Sequence, residues 1–506
     1  MLFRHTCNMK IRIVLFCFAV VLLVGCSQDD PASPVPTTGS RTQFTQDSLF
    51  LYAQQIYLWR DDLPDYTTFA PRGYTAASTE IDNLRKELFA ITQYPINPDT
   101  KKPYEFVSAS SDHPKYSFVE ETSSGSSSGR VADLSLDGTS SDFGFALTAI
   151  ANNDIRVRYV TPGSAAYKAG LVRGDQLVTI NNITAGTSQA NQINAAFDNP
   201  SMTVSLRRTN GTTYSRTLQQ GEYTSSSVYK TAILKTGSKT VGYLNLNSFT
   251  SLQSTQADLD AAFSTFTSGG VTDLVIDLRY NGGGYVQTAE YLTNLIIPSS
   301  HQGDVIYTER YNTLMQQGKA TLLSKQLLRD ANNNTVPFNG RNATYADVDY
   351  SVDGNTYRFA KKGSLENVKT VCFIMTGSSA SASELTANAL RPYLDVKIIG
   401  SQSYGKPVGF FPIIIDKYTF YLSNFQISNS AGAGNYYSGF TPDIDASDDV
   451  THDFGDAGEE SVAAALGYIS TGSVNGRQQG ARQATIQHLG NAQGFQGMIE
   501  DRINLK

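Results

Sequence analysis

The chain has 506 residues, 40% apolar and 17% charged, with 28 Tyr and 25 Phe, which is room for two or three domains whose cores need no disulfide or metal. That composition excludes wholesale disorder, collagen-like repeats and a polytopic membrane protein. Lys and Arg number 40 against 46 Asp and Glu; without the first 25 residues, which carry Arg4, Lys10 and Arg12 and no acid, the net charge moves from −6 to −9. Nothing here builds the basic stripe that phosphates require, so no nucleic-acid partner is expected.

Arg4, Lys10 and Arg12 precede an apolar run, Ile13 to Val24, too short to span a bilayer comfortably, which is the pattern of a secretory signal. It ends in Leu23-Val24-Gly25-Cys26, which resembles the bacterial lipobox. That resemblance implies lipidation of Cys26, cleavage just before it, and a membrane anchor made of acyl chains, at about 0.8 kcal/mol per buried methylene. Cys7 and Cys17 leave with the signal, so Cys372, in an apolar strand-like run, remains for packing and no intramolecular disulfide is expected. Residues 27–44 are rich in Pro, Ser and Thr and read as a tether. Gln28-Asp29-Asp30 resembles the surface-export signals of some Bacteroidetes lipoproteins. The expected location is the cell envelope, as an outer-membrane lipoprotein facing the periplasm or the outside.

Helical spacing follows: Leu49, Tyr52, Ile56 and Trp59, then Ile81, Leu84, Leu88 and Phe89, predict a small helical domain. Ser123 to Gly129 is a Ser/Gly run without core-forming residues and reads as a hinge. Between Asp142 and about Thr217 short β patterns alternate with turns. From about Ser226 the rhythm is β and α: strands at Val241–Leu246, Leu274–Leu278, Thr370–Met375 and Val396–Ile399, and helices at Gln256–Phe266, Val286–Ile297 and Ala382–Leu390. A polar insertion, about 299–367, interrupts it. Continuous apolar strands alternating with helices predict a mostly parallel sheet covered by helices.

Sites on such a sheet gather at the carboxyl ends of its strands, and three loops qualify. Asp277-Leu278-Arg279-Tyr280-Asn281-Gly282-Gly283-Gly284 runs from a buried strand into three glycines and a helix; its backbone amides suit an oxyanion hole. It lacks the Gly-Lys-Ser/Thr ending of a phosphate loop. Thr376-Gly377-Ser378-Ser379-Ala380-Ser381-Ala382-Ser383-Glu384 can project the Ser381 hydroxyl into a cleft with the Ala382 amide aimed at the same spot, which suits a nucleophile. Glu384, in the first helical turn, reads as a dipole partner. Gly400 to Lys406 follows the next strand, so Ser381 and Lys406 emerge side by side if those strands are neighbours. His113, His301 and His452 lie in no strand-end loop beside a nucleophile signal, Ser227-x-x-Lys230 has no companion motif, and no His/Cys cluster supports a metal.

Two sets of motifs carry a family resemblance. Phe143-Gly144-Phe145-Ala146, then Val160 to Leu171 and Gly174 to Asn181, resemble a PDZ domain, which implies that Phe143, Gly144 and Phe145 form a loop binding a peptide carboxylate beside an exposed strand edge. That module, Asp277 to Gly284, Ser381, Tyr404-Gly405-Lys406 and the closing Gly439-Phe440-Thr441-Pro442-Asp443 together resemble the C-terminal processing peptidases, or tail-specific proteases. The resemblance implies an α/β multidomain chain with a crotonase/ClpP-like serine peptidase core, Ser381 as nucleophile, Lys406 as general base, the Gly284 and Ala382 amides as oxyanion hole, no cofactor, and protein or peptide substrates taken through their C-termini. A lysine base has to be neutral, which demands a fall of about three pKa units, or ~4 kcal/mol of desolvation or nearby positive charge. One departure stands out: relatives place a Gln four residues after the lysine, and here that position is Phe410, so other groups have to orient the lysine, or it is held less firmly.

The expected division is signal 1–25, tether 26–44, helical domain 45–121, hinge 122–130, PDZ-like domain 131–222, peptidase domain 223–470 and tail 471–506. Two other readings use the same residues. A catalytically silent PDZ lipoprotein would need only the peptide groove, and an acyl-thioester enzyme of the crotonase type would need the glycine loop but neither Ser381 with Lys406 nor a PDZ module.

Overall fold

The structure is a computed structural model that describes residues 35–122, 138–330, 334–474, 487–489, 497–500, 502 and 504–506. The export segment, Cys26 and all of the Ser/Gly hinge except Thr122 lie outside the described residues.

The first helix, α1 (Arg41–Ile56), begins at a capping box in which Ser40 and Gln43 exchange hydrogen bonds, Ser40 Oγ accepting from the Gln43 amide at 3.2 Å and Gln43 Oε1 from the Ser40 amide at 2.9 Å. Thr79 caps α2 (Glu80–Thr92) by accepting from the Asp82 amide. Leu49, Phe50 and Ile56 of α1 and Leu84 and Leu88 of α2 are buried in the same apolar cluster as Leu244, Leu274 and Phe373 of the large sheet. The helical segment expected as a domain therefore shares one core with the peptidase sheet. The insertion joins that core as well, through Met315, Leu323 and Tyr350. Strand β1 (Phe118–Glu121) then pairs with a strand of the peptidase region, Phe118 opposite Tyr421.

A separate apolar cluster marks the PDZ-like unit. Its sheet runs through β2 (Phe145–Ala151), β3 (Asp154–Val160), β4 (Gln176–Ile180), β5 (Ser201–Arg207) and β6 (Thr213–Gln219). Met202, Val204 and Leu206 on alternate positions of β5 are buried while Thr203 and Arg207 are exposed, the period-two pattern of a sheet with one covered face. The short helix α3 (Ala190–Ala196) supplies Ile193 to that core.

The large sheet has the order β7 (Val228–Thr236), β8 (Lys239–Leu246), β9 (Asp273–Asp277), β10 (Thr370–Met375), β11 (Asp395–Gly400) and β12 (Ile444–Asp445). All neighbours are parallel except the β7–β8 hairpin. Every residue of β9 is buried, because helices cover both faces: Phe263 and Leu292, from Leu252–Ser268 and Val286–Ile296, pack on one side, and Val462 and Leu466, from Glu460–Thr471, pack on the other. Cys372 of β10 is buried among these side chains.

A buried ionic cluster ties the units together. The Arg279 guanidinium reaches Asp277, Asp448 and Glu459 at 2.7–3.0 Å, and Arg173 of the PDZ-like unit reaches Asp448 at 2.7 Å and Tyr280 Oη at 2.8 Å. Asp277 and Arg279 thus brace the glycine loop from behind.

Candidate active site

The three strand-end loops meet at the carboxyl edge of the large sheet. Strands β10 and β11 are neighbours, with Met375 opposite Gly400, so the Ser381 and Lys406 loops leave the sheet side by side. Strand β9 flanks β10 on its other side, Asp277 opposite Ile374, and delivers the glycine loop.

Ser381 sits at the bend between β10 and the helix Ala382–Leu390 with φ 61° and ψ −111°, a conformation that costs a non-glycine residue about 1–3 kcal/mol and persists only where neighbours enforce it. The neighbours are identifiable. The Ser379 hydroxyl donates to the Leu278 carbonyl at 2.7 Å, the Ser383 hydroxyl donates to the Asn281 carbonyl at 2.8 Å, and the Ala380 amide donates to that same carbonyl at 3.1 Å. This is why the loop is rich in serine: small hydroxyl side chains stitch it to the glycine loop. The Ser381 Oγ is buried and has no hydrogen-bond partner among the described residues. Ala382 opens the helix, where the first amides have no intrahelical acceptor.

Glu384 does more than complement a helix dipole. It is fully buried and accepts four hydrogen bonds from two loops. Its Oε2 accepts from the Ser381 amide at 3.0 Å and the Lys406 amide at 2.8 Å, and its Oε1 accepts from the Gly405 amide at 2.7 Å and the Ser403 hydroxyl at 2.6 Å. Burial pushes its carboxyl upward in pKa and these donors hold it down, leaving it raised. Residues 25 positions apart in the chain are therefore anchored on a single carboxylate oxygen.

Lys406 is 1% exposed. Burial brings its amine down to about 7; Lys115 pushes the same way, while Glu105 and Glu384 oppose. Its Nζ lies 4.5 Å from the Phe410 ring centroid and 5.8 Å from that of Tyr116. The residue standing in for the expected glutamine thus covers the amine with a ring face. Apolar cover of that kind favours the neutral form while still attracting a transient cation.

Three participants carried no local signal. Lys115 Nζ donates to the carbonyls of Tyr404, Gly405 and Tyr437 at 2.8–3.1 Å, and burial lowers its own pKa to about 8. The Tyr116 hydroxyl donates to the Gly405 carbonyl at 2.6 Å. Buried Glu105 accepts from the Tyr116 and Ser117 amides and from the Tyr57, Ser117 and Ser423 hydroxyls, all within 3.1 Å, which fixes this segment against the peptidase loops. The helical N-terminal region therefore builds one wall of the lysine site.

The glycine loop ends in a short strand, Gly283–Tyr285. On one edge the Phe249 amide donates to the Gly283 carbonyl and the Tyr285 amide donates to the Phe249 carbonyl, at 2.9 and 2.8 Å, so the Gly284 amide points to the other edge, toward the cleft. Gly284 has φ 133°, and a Cβ there would fall 2.0 Å from the Phe249 carbonyl oxygen; only glycine fits.

In the PDZ-like unit Phe143 and Phe145 are buried and pack near Phe197, while Gly144, at φ 76°, turns the loop. The two rings belong to the unit's core. Three histidines, His113, His301 and His452, pair locally with acids instead of meeting Ser381: with Asp112, Asp304 and Asp449 respectively. Ser227 bonds Thr250 and Lys230 pairs with Asp453, so that Ser-x-x-Lys match forms no pair. Among the described residues no cluster of His, Cys, Asp and Glu could hold a metal ion, and no helix is long and apolar enough to cross a membrane.

A parallel α/β core with strand-end loops converging on a buried serine and lysine, joined to a PDZ-like sheet, is the architecture of a peptidase coupled to a peptide-binding module. The comparisons agree at the level of family. Residues 240–446 match the model of peptidase family S41 and residues 156–208 match a PDZ domain model, so the chain carries a peptidase S41 domain and a PDZ domain where its motifs resemble them. A chloroplastic C-terminal processing peptidase of Tetradesmus obliquus is 24% identical over 281 residues, 53% of this chain and 50% of the relative. A carboxy-terminal-processing protease of Bartonella bacilliformis is 31% identical over 170 residues, 33% of this chain and 29% of the relative. The chain thus spans half or less of the length of these relatives. An S41 protease of Bacteroides fragilis shares the fold, with TM-score 0.55 at 20% identity, across 87% of this chain and 100% of that one.

Proposed function

We propose that this protein is a serine endopeptidase of the C-terminal processing type, in which Ser381 attacks the scissile carbonyl and Lys406 is the general base. The observation that carries the reading is the Glu384 carboxylate, which fixes both residues on one oxygen beside a lysine whose amine titrates near 7. Lys406 takes the Ser381 proton as Oγ bonds to the carbonyl carbon, then gives it to the leaving amine; water releases the acyl group by the reverse path. The Gly284 and Ala382 amides receive the oxyanion. Substrates are protein or peptide chains whose C-terminal ends add as a strand to the edge of β2. The lipobox-like Cys26 in the sequence supports a location for this activity at a membrane of the cell envelope.

A serine-reactive fluorescent phosphonate tests the reading. Labelling of the purified chain that maps to Ser381, is absent in Ser381→Ala and slows at least 100-fold in Lys406→Ala supports it. Folded protein that resists labelling is instead a silent peptide-binding lipoprotein.

A further inference from the structure

The segment after residue 471, expected as a tail, returns to both grooves. Gln487–Leu489 pairs antiparallel with the edge of β2 that faces away from β3, Leu489 opposite Leu147. Gly497–Ile499 lies parallel to Gly283–Tyr285, Gly497 opposite Gly283 and Met498 opposite Gly284, and on its other side Ile499 bridges Phe410. This strand therefore runs between the glycine loop and the residue that covers Lys406. Its register is specific. The Gly497 amide donates to the Gly282 carbonyl at 3.1 Å, and in a parallel ladder of that register the Gly497 carbonyl receives the Gly284 amide, the donor assigned above to the oxyanion. A Cβ built on Gly283 would fall 2.3 Å from the Gly497 carbonyl oxygen and 2.9 Å from Ser381 Cβ, so that carbonyl and Ser381 share one small space.

Beyond Gly497 the segment is held firmly. Met498 is fully buried in the main core. The Arg502 guanidinium stacks 3.6 Å from the Tyr357 ring centroid and pairs with Glu290 at 2.6 Å. The Asp349 amide donates to the Asn504 carbonyl at 2.8 Å and the Lys506 amide donates to the Asp347 carbonyl at 3.0 Å. A strand clamped on both sides of one carbonyl, with that carbonyl on an oxyanion donor, is how a substrate is presented.

We infer that the Gly497–Met498 peptide bond is a substrate of the molecule's own Ser381, an inference that rests on the peptidase reading above. Ser381 Oγ bonds to the Gly497 carbonyl carbon as its proton passes to Lys406 Nζ. The bond to the Met498 nitrogen breaks, and Lys406 returns the proton to that nitrogen. Water then cleaves the Gly497 ester, restoring the hydroxyl and leaving a carboxyl group at Gly497. Loss of residues 498–506 clears the cleft for other chains.

Intact-mass spectrometry of the full chain over a day of incubation, beside a phosphonate-labelling assay and hydrolysis of casein, tests this. The expected result is a product ending at Gly497 in the wild type, with the residues from Met498 onward retained in Ser381→Ala and in wild type blocked by phosphonate from the time of lysis; the blocked sample keeps the test valid if the variant fails to fold. A wild type that labels and digests casein while its chain stays intact at Gly497, or is cut there equally in the blocked sample, overturns the inference and leaves the peptidase reading standing. An intact chain that neither labels nor digests casein overturns both.

Discussion

At the scale of single residues, the proposed chemistry depends on how Lys406 is kept neutral and where its amine points. Lys115 is the testable part of that environment because it supplies charge and takes no step in the proposed reaction. Replacing it in Lys115→Met removes a cation that disfavours protonated Lys406, so the acid limb of the kcat/KM profile is expected to move to higher pH. An unchanged limb would assign the lowered pKa to burial alone. Lys406→Met makes the opposite point about stability. A lysine that titrates near 7 in the fold and near 10.5 when unfolded binds fewer protons folded across that interval, so its burial opposes folding near pH 7, and the penalty shrinks as pH rises toward 10. The Met variant is expected to lose activity while its Tm at pH 7 rises, by about 2–4 °C per kcal/mol recovered; a fall in Tm would show that the amine contributes to the fold. Glu384→Gln faces two of the four donors with an NH2 group. Each orphaned donor costs about 1–3 kcal/mol, so a lower Tm and a large loss of kcat with little change in KM are expected from calorimetry and peptide hydrolysis.

At the scale of elements, the strand ends were legible and the walls were not. The helix Ala382–Leu390 and the strand Thr370–Met375 fall where the apolar runs and small-residue turns place them, because a buried parallel strand must end in a turn before a helix can begin. Ser381, Lys406 and the glycine loop were readable for the same reason. Glu105, Lys115 and Tyr116 were not: Lys115 meets Tyr404 across 289 residues, and contacts that distant leave no periodic trace. The segment beyond 471 was hidden for a related reason, since edge pairing uses backbone groups that every sequence carries. The glycine strand offers the element-scale test. Gly284→Ala forces a Cβ against the Phe249 carbonyl and turns the amide away from the cleft. A fall in kcat of about 10²–10³-fold with the fold retained by circular dichroism is expected from loss of one oxyanion donor, and near-normal turnover would remove Gly284 from that role.

At the scale of the whole molecule, the PDZ-like and peptidase units are joined through charge. Burial opposes the ionised form of Asp448, and Arg173 and Arg279 more than reverse that, holding its carboxyl well below the usual range. A depressed carboxylate contributes stability that is complete above the unfolded value near 3.8 and is lost as pH falls below it. Small-angle scattering is therefore expected to show the two units separating below about pH 4, and Arg173→Met to bring the change to higher pH; a particle of constant size through that range would contradict the role given to this cluster.

In the proposed mechanism an uncharged Lys406 activates Ser381. The most direct measurement is the second-order rate of Ser381 phosphonylation as a function of pH. The rate is expected to climb with pH through a single inflection at about 7 and to vanish in Lys406→Met. A rate independent of pH, or a limb rising only near 10 as for an ordinary exposed lysine, would contradict it.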